Sequence, residues 1–468
     1  MFIKIKNNMT KQSNIMNKIF GTDHEYVADS YSKLAFPYFS QGHYDTAIEL
    51  YEKALKIRLE NSGVDKSDIA DLYFDLGYTY QTKKDNDKAI GYYENALKIR
   101  LDLFGIKHAD VAHVYNNLGN IYQSKKECDK AIEYHKKALQ IRLDVFGEKH
   151  DDIAWSYHNL GFSYNSMGEH DKAIECYEKG VKIRLELSGA SNSDVAGSYF
   201  DLGYAYQSKK EYDKAIEYYE NALKIRLELF GVNHAEVSHV YNNLGNIYQS
   251  KGEYDRAIEY HERALKIRLD VFGIKHEEVG RSYGNLGKVY QNKDQHDKAI
   301  EYHEKALKIR LEVFGNNHVD VAWSYHNLGT SYDKLNKYGE AIDFYDKALQ
   351  VRLAIFGTYY ADVFESYTCL GLVYIYTGRY DKAIECHETA LKIKEKLPNI
   401  VDEVVAALNE LLGLAYEAKG EIQTACTYYE KSWKMNSKAE GEWNATTSRS
   451  KKKTKKLTKK LMTEISSI

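Results

Sequence analysis

The sequence predicts an all-α fold: a right-handed superhelical solenoid of about ten helix-turn-helix units. Three observations predict it. A small-residue seat recurs every 42 residues, without insertion or deletion, at Ala47, Ala89, Ala131, Ala173, Ala215, Ala257, Ala299, Ala341, Ala383 and Ala425. Each unit carries two stretches of helical periodicity. Proline is confined to Pro37 and Pro398, as helix interiors require. Units repeated at fixed spacing pack on their neighbours and build an extended surface, which suits binding better than catalysis.

The units start near residues 26, 68, 110, 152, 194, 236, 278, 320, 362 and 404. In the unit from Asp110, the residues Val111, Val114, Tyr115, Leu118, Ile121 and Tyr122 are apolar at spacings of three and four, one face of an amphipathic helix. A polar break at 125–127 predicts a tight turn. Asp129 is the expected N-cap of a second helix, since its carboxylate accepts a first-turn N–H. Ala131, Ile132, Ala138, Leu139, Ile141, Leu143 and Phe146 give that helix a broad apolar side. Gly147 supplies the left-handed conformation that ends it. Gly119 and Ala131 let the two helices approach, and Tyr115, Leu118 and Tyr122 are the knobs.

These residues resemble the tetratricopeptide repeat, with His135 in the seat of the second-helix aromatic. The resemblance covers residues 26–437. Each unit is longer than the 34-residue repeat, and the eight extra residues, about two helical turns, lengthen the second helix and its loop. The segment "ALKIRLDLFGIKHADVAHVYNNLG" at 96–119 is similar to the repeat of kinesin light chains. The proline that usually follows the histidine is Ala109, Glu277 or Val319 here. Kinesin light chains bind their motor through a heptad coiled coil ahead of the repeats, and residues 1–20 carry no sustained heptads.

Residues 1–25 read as a short basic segment with a partial capping helix, 26–437 as the array, and 438–468 as a basic tail. Formal net charge is −3. Both ends are basic, so the array itself is acidic, which argues against nucleic acid as its partner. Five scattered cysteines form no CxxC pair and suit a reducing compartment; with no signal-peptide core or membrane-length apolar run, the expected location is cytoplasmic. The tail "SRSKKKTKKLTKKLMTEISSI" places Leu457, Leu461, Ile465 and Ile468 on one helical stripe. Nuclear import, contact with an anionic membrane and a solubilising role all stay open for it.

No phosphate loop, HExxH, nucleophile elbow or EF-hand loop is present, and no cofactor or enzymatic activity is expected. Histidines at 42-residue spacing fall in different units and cannot surround one ion. The arginine series Arg58 to Arg352 reads as a solvated or inter-repeat structural stripe, each arginine mostly followed two residues later by an acid, as in Arg100–Asp102. The functional expectation is a scaffold that holds extended peptides along the inner face of the first helices; a kinesin-light-chain-like cargo adaptor is the alternative. The inner face is expected to comprise Phe74, Tyr78, Asn117, Asn120, Trp155, His158, Asn159, Phe162, Phe200, Tyr204, Asn243, Asn246, Asn285, Trp323, His326 and Asn327. An amide both donates and accepts, so it pairs with peptide backbone whatever the sequence, while aromatics form pockets for side chains. By the resemblance to kinesin light chains, Asn117, Asn159, Asn243, Asn285 and Asn327 hold the peptide. The competing reading is that these asparagines only link adjacent repeats. Residues 72–124 and 198–250 share 42 of 53 positions, so the inner-face residues Phe74, Tyr78 and Asn120 recur as Phe200, Tyr204 and Asn246.

Overall fold

The computed structural model describes residues 25–61, 65–189, 193–397 and 402–440. The chain divides into two compact units, 1–231 and 232–468, and each is built from helix pairs. In unit 1 the first helices are α1 (Glu25–Ser40), α3 (Lys66–Thr82), α5 (Ala109–Ser124), α7 (Asp151–Ser166) and α9 (Ser193–Ser208). Their partners are α2 (Tyr44–Glu60), α4 (Asn86–Phe104), α6 (Cys128–Phe146), α8 (His170–Ser188) and α10 (Tyr212–Phe230). In unit 2 the first helices are α11 (Ala235–Ser250), α13 (Glu277–Asn292), α15 (Val319–Lys334), α17 (Ala361–Tyr376) and α19 (Asp402–Ala418). They pair with α12 (Tyr254–Phe272), α14 (His296–Phe314), α16 (Tyr338–Phe356), α18 (Tyr380–Lys396) and α20 (Ile422–Glu440). Within each unit a second helix packs on its own first helix and on the first helix of the next pair. The expected helical tail lies outside the described residues.

Five first helices are capped by a histidine from the loop before them, His108, His150, His234, His276 and His318, while Asp65 caps α3 and Tyr360 precedes α17. His108 Nδ1 accepts the N–H of Asp110 at 3.2 Å, and its ring stacks on Phe104 at 4.3 Å. His150 repeats this with Asp152 and Phe146, as does His318 with Asp320 and Phe314. The histidine both caps the helix and anchors the loop. Gly147, at φ +74°, ends the second helix by donating to the Leu143 carbonyl at 3.0 Å. Asp129 is not the N-cap. The turn closes earlier, with Glu127 N–H donating to the Tyr122 carbonyl. Glu127 is the N-cap, without a side-chain bond, and Asp129 instead sits in the first turn, where its charge favours the helix dipole.

Within a pair, a glycine in the first helix admits a second-helix ring. A Cβ on Gly203 would lie 2.8 Å from Tyr219 Cδ1, and one on Gly119 would lie 2.5 Å from His135 Cε1. Tyr219 and Tyr93 turn their hydroxyls to Gln207 and Gln81 at 3.0 and 2.9 Å. In the histidine repeats burial pushes the ring pKa down, to about 4 for His135 and His261 and about 3 for His303, so these rings are neutral packing groups. Among the described residues no group of His, Cys, Asp or Glu could hold a metal ion, and no helix is long and apolar enough to cross a membrane.

Between pairs, the arginine series is buried, so of its two expected roles the inter-repeat one holds and the solvated one does not. Arg58, Arg100, Arg142, Arg184, Arg226, Arg268, Arg310 and Arg352 are each 7% exposed or less. Each of Arg100, Arg142, Arg310 and Arg352 donates through Nη1 to the carbonyl ten residues ahead, in the next first helix. Arg142, Arg310 and Arg352 add the serine hydroxyl fourteen ahead at 2.6–2.7 Å. The acid two residues on is not the partner: Arg100 Nη2 reaches Asp71 at 2.7 Å. On the opposite side, tyrosine pairs such as Tyr122–Tyr134 stack at 5.3 Å, and Glu52 accepts from both Tyr80 and Tyr92 of the following pair.

The glycine notch gives a direct prediction. Gly203→Leu forces its side chain into Tyr219, and overpacking of this kind costs about 1–3 kcal/mol. The denaturation midpoint of the intact chain should fall accordingly, and an unchanged midpoint would show that the two helices can part at no cost.

Candidate functional site

The exposed face of the first helices in unit 1 carries a row of large rings. Phe36, Tyr78, Phe162 and Tyr204 are 64%, 47%, 47% and 46% exposed, at equivalent positions of α1, α3, α7 and α9. Asn120 fills the same position on α5. An open recess of about 850 Å³ sits here, lined by Asn120, Gln123, His158, Asn159, Phe162 and Ser166 among others. Phe36 was not expected from the sequence, because the first repeat diverges most; the 42-residue count back from Tyr78 is the signal that finds it. Unit 2 has Asn246, Lys288, Thr330 and Leu372 in this row, so the exposed ring series is a property of unit 1.

The asparagines do not form one uniform ladder. Asn117, Asn120, Asn243 and Asn246 are half-buried, and their amides make no hydrogen bond to the described protein, leaving donor and acceptor available. Asn159 instead donates to Asn116 Oδ1, and Asn285 to Asn242 Oδ1, each at 2.8 Å across a repeat boundary. Asn327 departs furthest from the expectation. It is buried, and its amide donates to the Trp323 carbonyl of its own helix at 2.8 Å.

The two tryptophans, alike in sequence, also part company. Trp155 is 43% exposed, with the Arg184 guanidinium behind one face at 4.7 Å. Trp323 tilts back over Gly284, where a Cβ would meet its ring at 3.0 Å, and packs on His303 and Arg310. Gly284 makes the room; α5 has Asn116 there. Phe74 and Phe200 are half-buried wall, edge-on to Tyr93 and Tyr219, with Arg100 and Arg226 behind them at 4.7 and 4.8 Å. His326 leans on Tyr345, and burial, then Arg352, pushes its pKa down to about 3.

His158 places Nδ1 2.9 Å from an Asp201 carboxylate oxygen. Asp75 occupies the same repeat position as Asp201, but the residue 43 before it is Ser32 rather than a histidine, and the Ser32 hydroxyl donates to the Ala28 carbonyl. The Asp75 carboxyl is pushed up to about 6 by burial and then by Asp71, with Arg100 opposing.

With this geometry in place, the comparisons with known proteins bear on what the chain is. The family model of the tetratricopeptide repeat matches residues 7–60, 68–144, 110–186, 194–270, 278–354 and 362–438. The chain belongs to the tetratricopeptide-repeat family. No curated protein sequence matches it. Similar solved structures include BtubC (BKLC) from P. vanneervenii, 28% identical over 50% of this chain and 92% of that one, with a TM-score of 0.43. A kinesin light chain with nearly identical TPR-like repeats from Podosopora anserina is 22% identical over 44% of this chain and 98% of that one, TM-score 0.40. The apo form of RapI aligns over 75% of this chain and 99% of that one, at 16% identity and a TM-score of 0.53. This tetratricopeptide-repeat chain is thus an all-α repeat scaffold of a family built for protein interaction.

Asp75 yields a pH prediction. Its folded pKa lies above the ordinary carboxylate value, so the folded state binds the proton more tightly. Its ionisation therefore removes stability as pH rises from about 4 through about 6. Asp75→Asn should raise the melting temperature at pH 7.5, and the gain should vanish below pH 4. An equal gain at both pH values would place the effect elsewhere.

Proposed function

We propose that this chain is a scaffold that binds extended peptide segments of protein partners along the exposed face of its first helices, with unit 1 as the principal site. The observation that carries the reading is the row Phe36, Tyr78, Asn120, Phe162 and Tyr204: four exposed rings beside free amides at Asn117 and Asn120. Exposed aromatics in register are costly to leave in water without a use, and they suit alternate side chains of an extended ligand. The amides suit its backbone. Trp155 offers a further ring whose rear face is already held by Arg184. Adjacent helices pack about 8–10 Å apart, so an extended segment rising about 3.3 Å per residue presents roughly one side chain in three to each repeat. The partner is therefore a segment with apolar side chains near that interval.

Peptides selected from a random display library on the intact chain provide the test. Phe162→Ala and Tyr204→Ala should each weaken a selected peptide about tenfold or more, as aromatic anchors do. Asn117→Ala should weaken it about two- to tenfold, the loss of one neutral hydrogen bond, with helicity unchanged. Charge reversal of Glu133 and Lys137, which pair on the exposed face of α6, should leave affinity alone. Normal binding by the ring variants, with loss on reversing Glu133 and Lys137, would move the partner to the second helices.

A further inference from the structure

The buried arginines are neutralised unevenly, and the unevenness marks a site. Arg58 contacts Asp29, twenty-nine residues back on the first helix of its own pair, and also Asp68. Arg100 reaches Asp71, again twenty-nine back, at 2.7 Å. Arg268 is met from ten residues ahead by Glu278 at 2.8 Å. Arg352 is met from thirteen ahead by Glu365 at 3.3 Å. Neither Arg142 nor Arg310 has any of these. Arg310 has Arg281 twenty-nine back and lies against the Trp323 ring at 4.9 Å, whereas among the described residues no such ring lies over Arg142. For Arg142 the position twenty-nine back is His113, thirteen ahead is Trp155, and ten ahead is Asp152, one methylene shorter than Glu278. The Asp152 carboxylate lies near His150 Nδ1 at 3.8 Å, and among the described residues no carboxylate comes within ion-pair distance of Arg142.

Arg142 is 5% exposed. Its Nη1 donates to the Asp152 carbonyl and to Ser156 Oγ, and its Nε is buried without a hydrogen-bond partner. Nη2, the atom that Asp71 satisfies on Arg100, makes no hydrogen bond to the described protein. Burial holds the guanidinium below its ordinary pKa, with Asp152 only tempering it. His113, on the site's other wall, is pushed down by burial and then by Arg142, so it favours the neutral form and adds no like charge. A buried cation satisfied only by neutral groups is expensive, and opposite charge placed against it is correspondingly favoured.

We propose that the Arg142 guanidinium, bordered by His113 and Ser156, is a receptor for a carboxylate of the bound partner, which takes the place that Asp71 fills in the preceding repeat. The idea rests on the first helices being the partner-binding face. It adds one acidic group, placed against α5, to a ligand otherwise recognised by apolar side chains. The carboxylate is that of an aspartate or glutamate, or of a chain terminus; both present the same two oxygens to Nη2.

The test uses the full chain and three pentapeptides at constant ionic strength: Ac-AEAEA-NH2, its amide isostere Ac-AQAQA-NH2, and Ac-AQAQA-OH. Wild-type melting temperature should rise with either carboxylate peptide and not with the isostere; the first against the third separates side-chain from terminal recognition. Two variants fill the site from within the chain. His113→Asp installs the acid found at Asp71, and Asp152→Glu installs the longer acid found at Glu278. Either should raise the melting temperature without ligand by about 2 °C or more, and abolish the peptide response. The ligand-free gain does not depend on any partner, so it tests the vacancy even if the partner binds another face. The proposal is overturned if neither variant gains stability, if the response survives both, or if the isostere stabilises equally.

Discussion

The structure depends on one recurring interaction: a guanidinium buried where one helix pair meets the next. Arg310, for example, donates to the Asp320 carbonyl and to Ser324 Oγ of the following first helix. A cation in that place adds two donors to a carbonyl and a hydroxyl near the start of the helix, and these acceptors satisfy guanidinium N–H groups that are themselves buried. Because the arginine recurs every 42 residues from Arg58 to Arg352, successive pairs within a unit dock in the same way, with Lys394 in its place before the last pair. The glycine notch and its ring do the equivalent inside the pair, and in the repeats that carry it the histidine stacked on phenylalanine fixes the loop between.

The arginine also shapes the face that carries the candidate site. Lying directly behind the wall, it supports Phe74, Trp155 and Phe200 from the rear. A ring held on one face by a cation needs little further packing to stay ordered, which lets Trp155 remain open toward solvent. The rings of Phe36, Tyr78, Phe162 and Tyr204 lie further along the same helices. Structural and recognition roles are thus divided along each first helix: one end is fastened by the arginine and the other presents rings and amides.

The repeat, the two helices and the ring-in-notch seat were legible because each rests on local spacing, and local spacing is visible in a sequence. For the arginines the inter-repeat role, one of two readings, was legible, but the partners were not, since they lie ten, fourteen and twenty-nine residues away and the nearby acid at Asp102 is not among them. Trp155 and Trp323 sit in nearly identical sequence, yet Gly284 in the neighbouring helix decides that one is exposed and the other tucked. The asparagines divided for a similar reason. Asn159 and Asn285 bond Asn116 and Asn242 across a boundary and are engaged, whereas the residue 43 before Asn117 is Phe74, which offers no hydrogen-bonding side chain. What sits 43 residues earlier is decisive, and it acquires meaning only once the packing of adjacent repeats is known.

Hydrogen exchange on Arg310→Met in the intact chain tests the governing role of the buried arginine most directly. Methionine keeps much of the volume and removes the donors to the Asp320 carbonyl and Ser324 Oγ. Two lost hydrogen bonds at about 1 kcal/mol each should speed exchange in the amides of α14 and α15 by tenfold or more, while α3–α6 keep their protection. Unaltered protection across α14 and α15 would mean that apolar packing alone docks one repeat on the next, and would contradict the account.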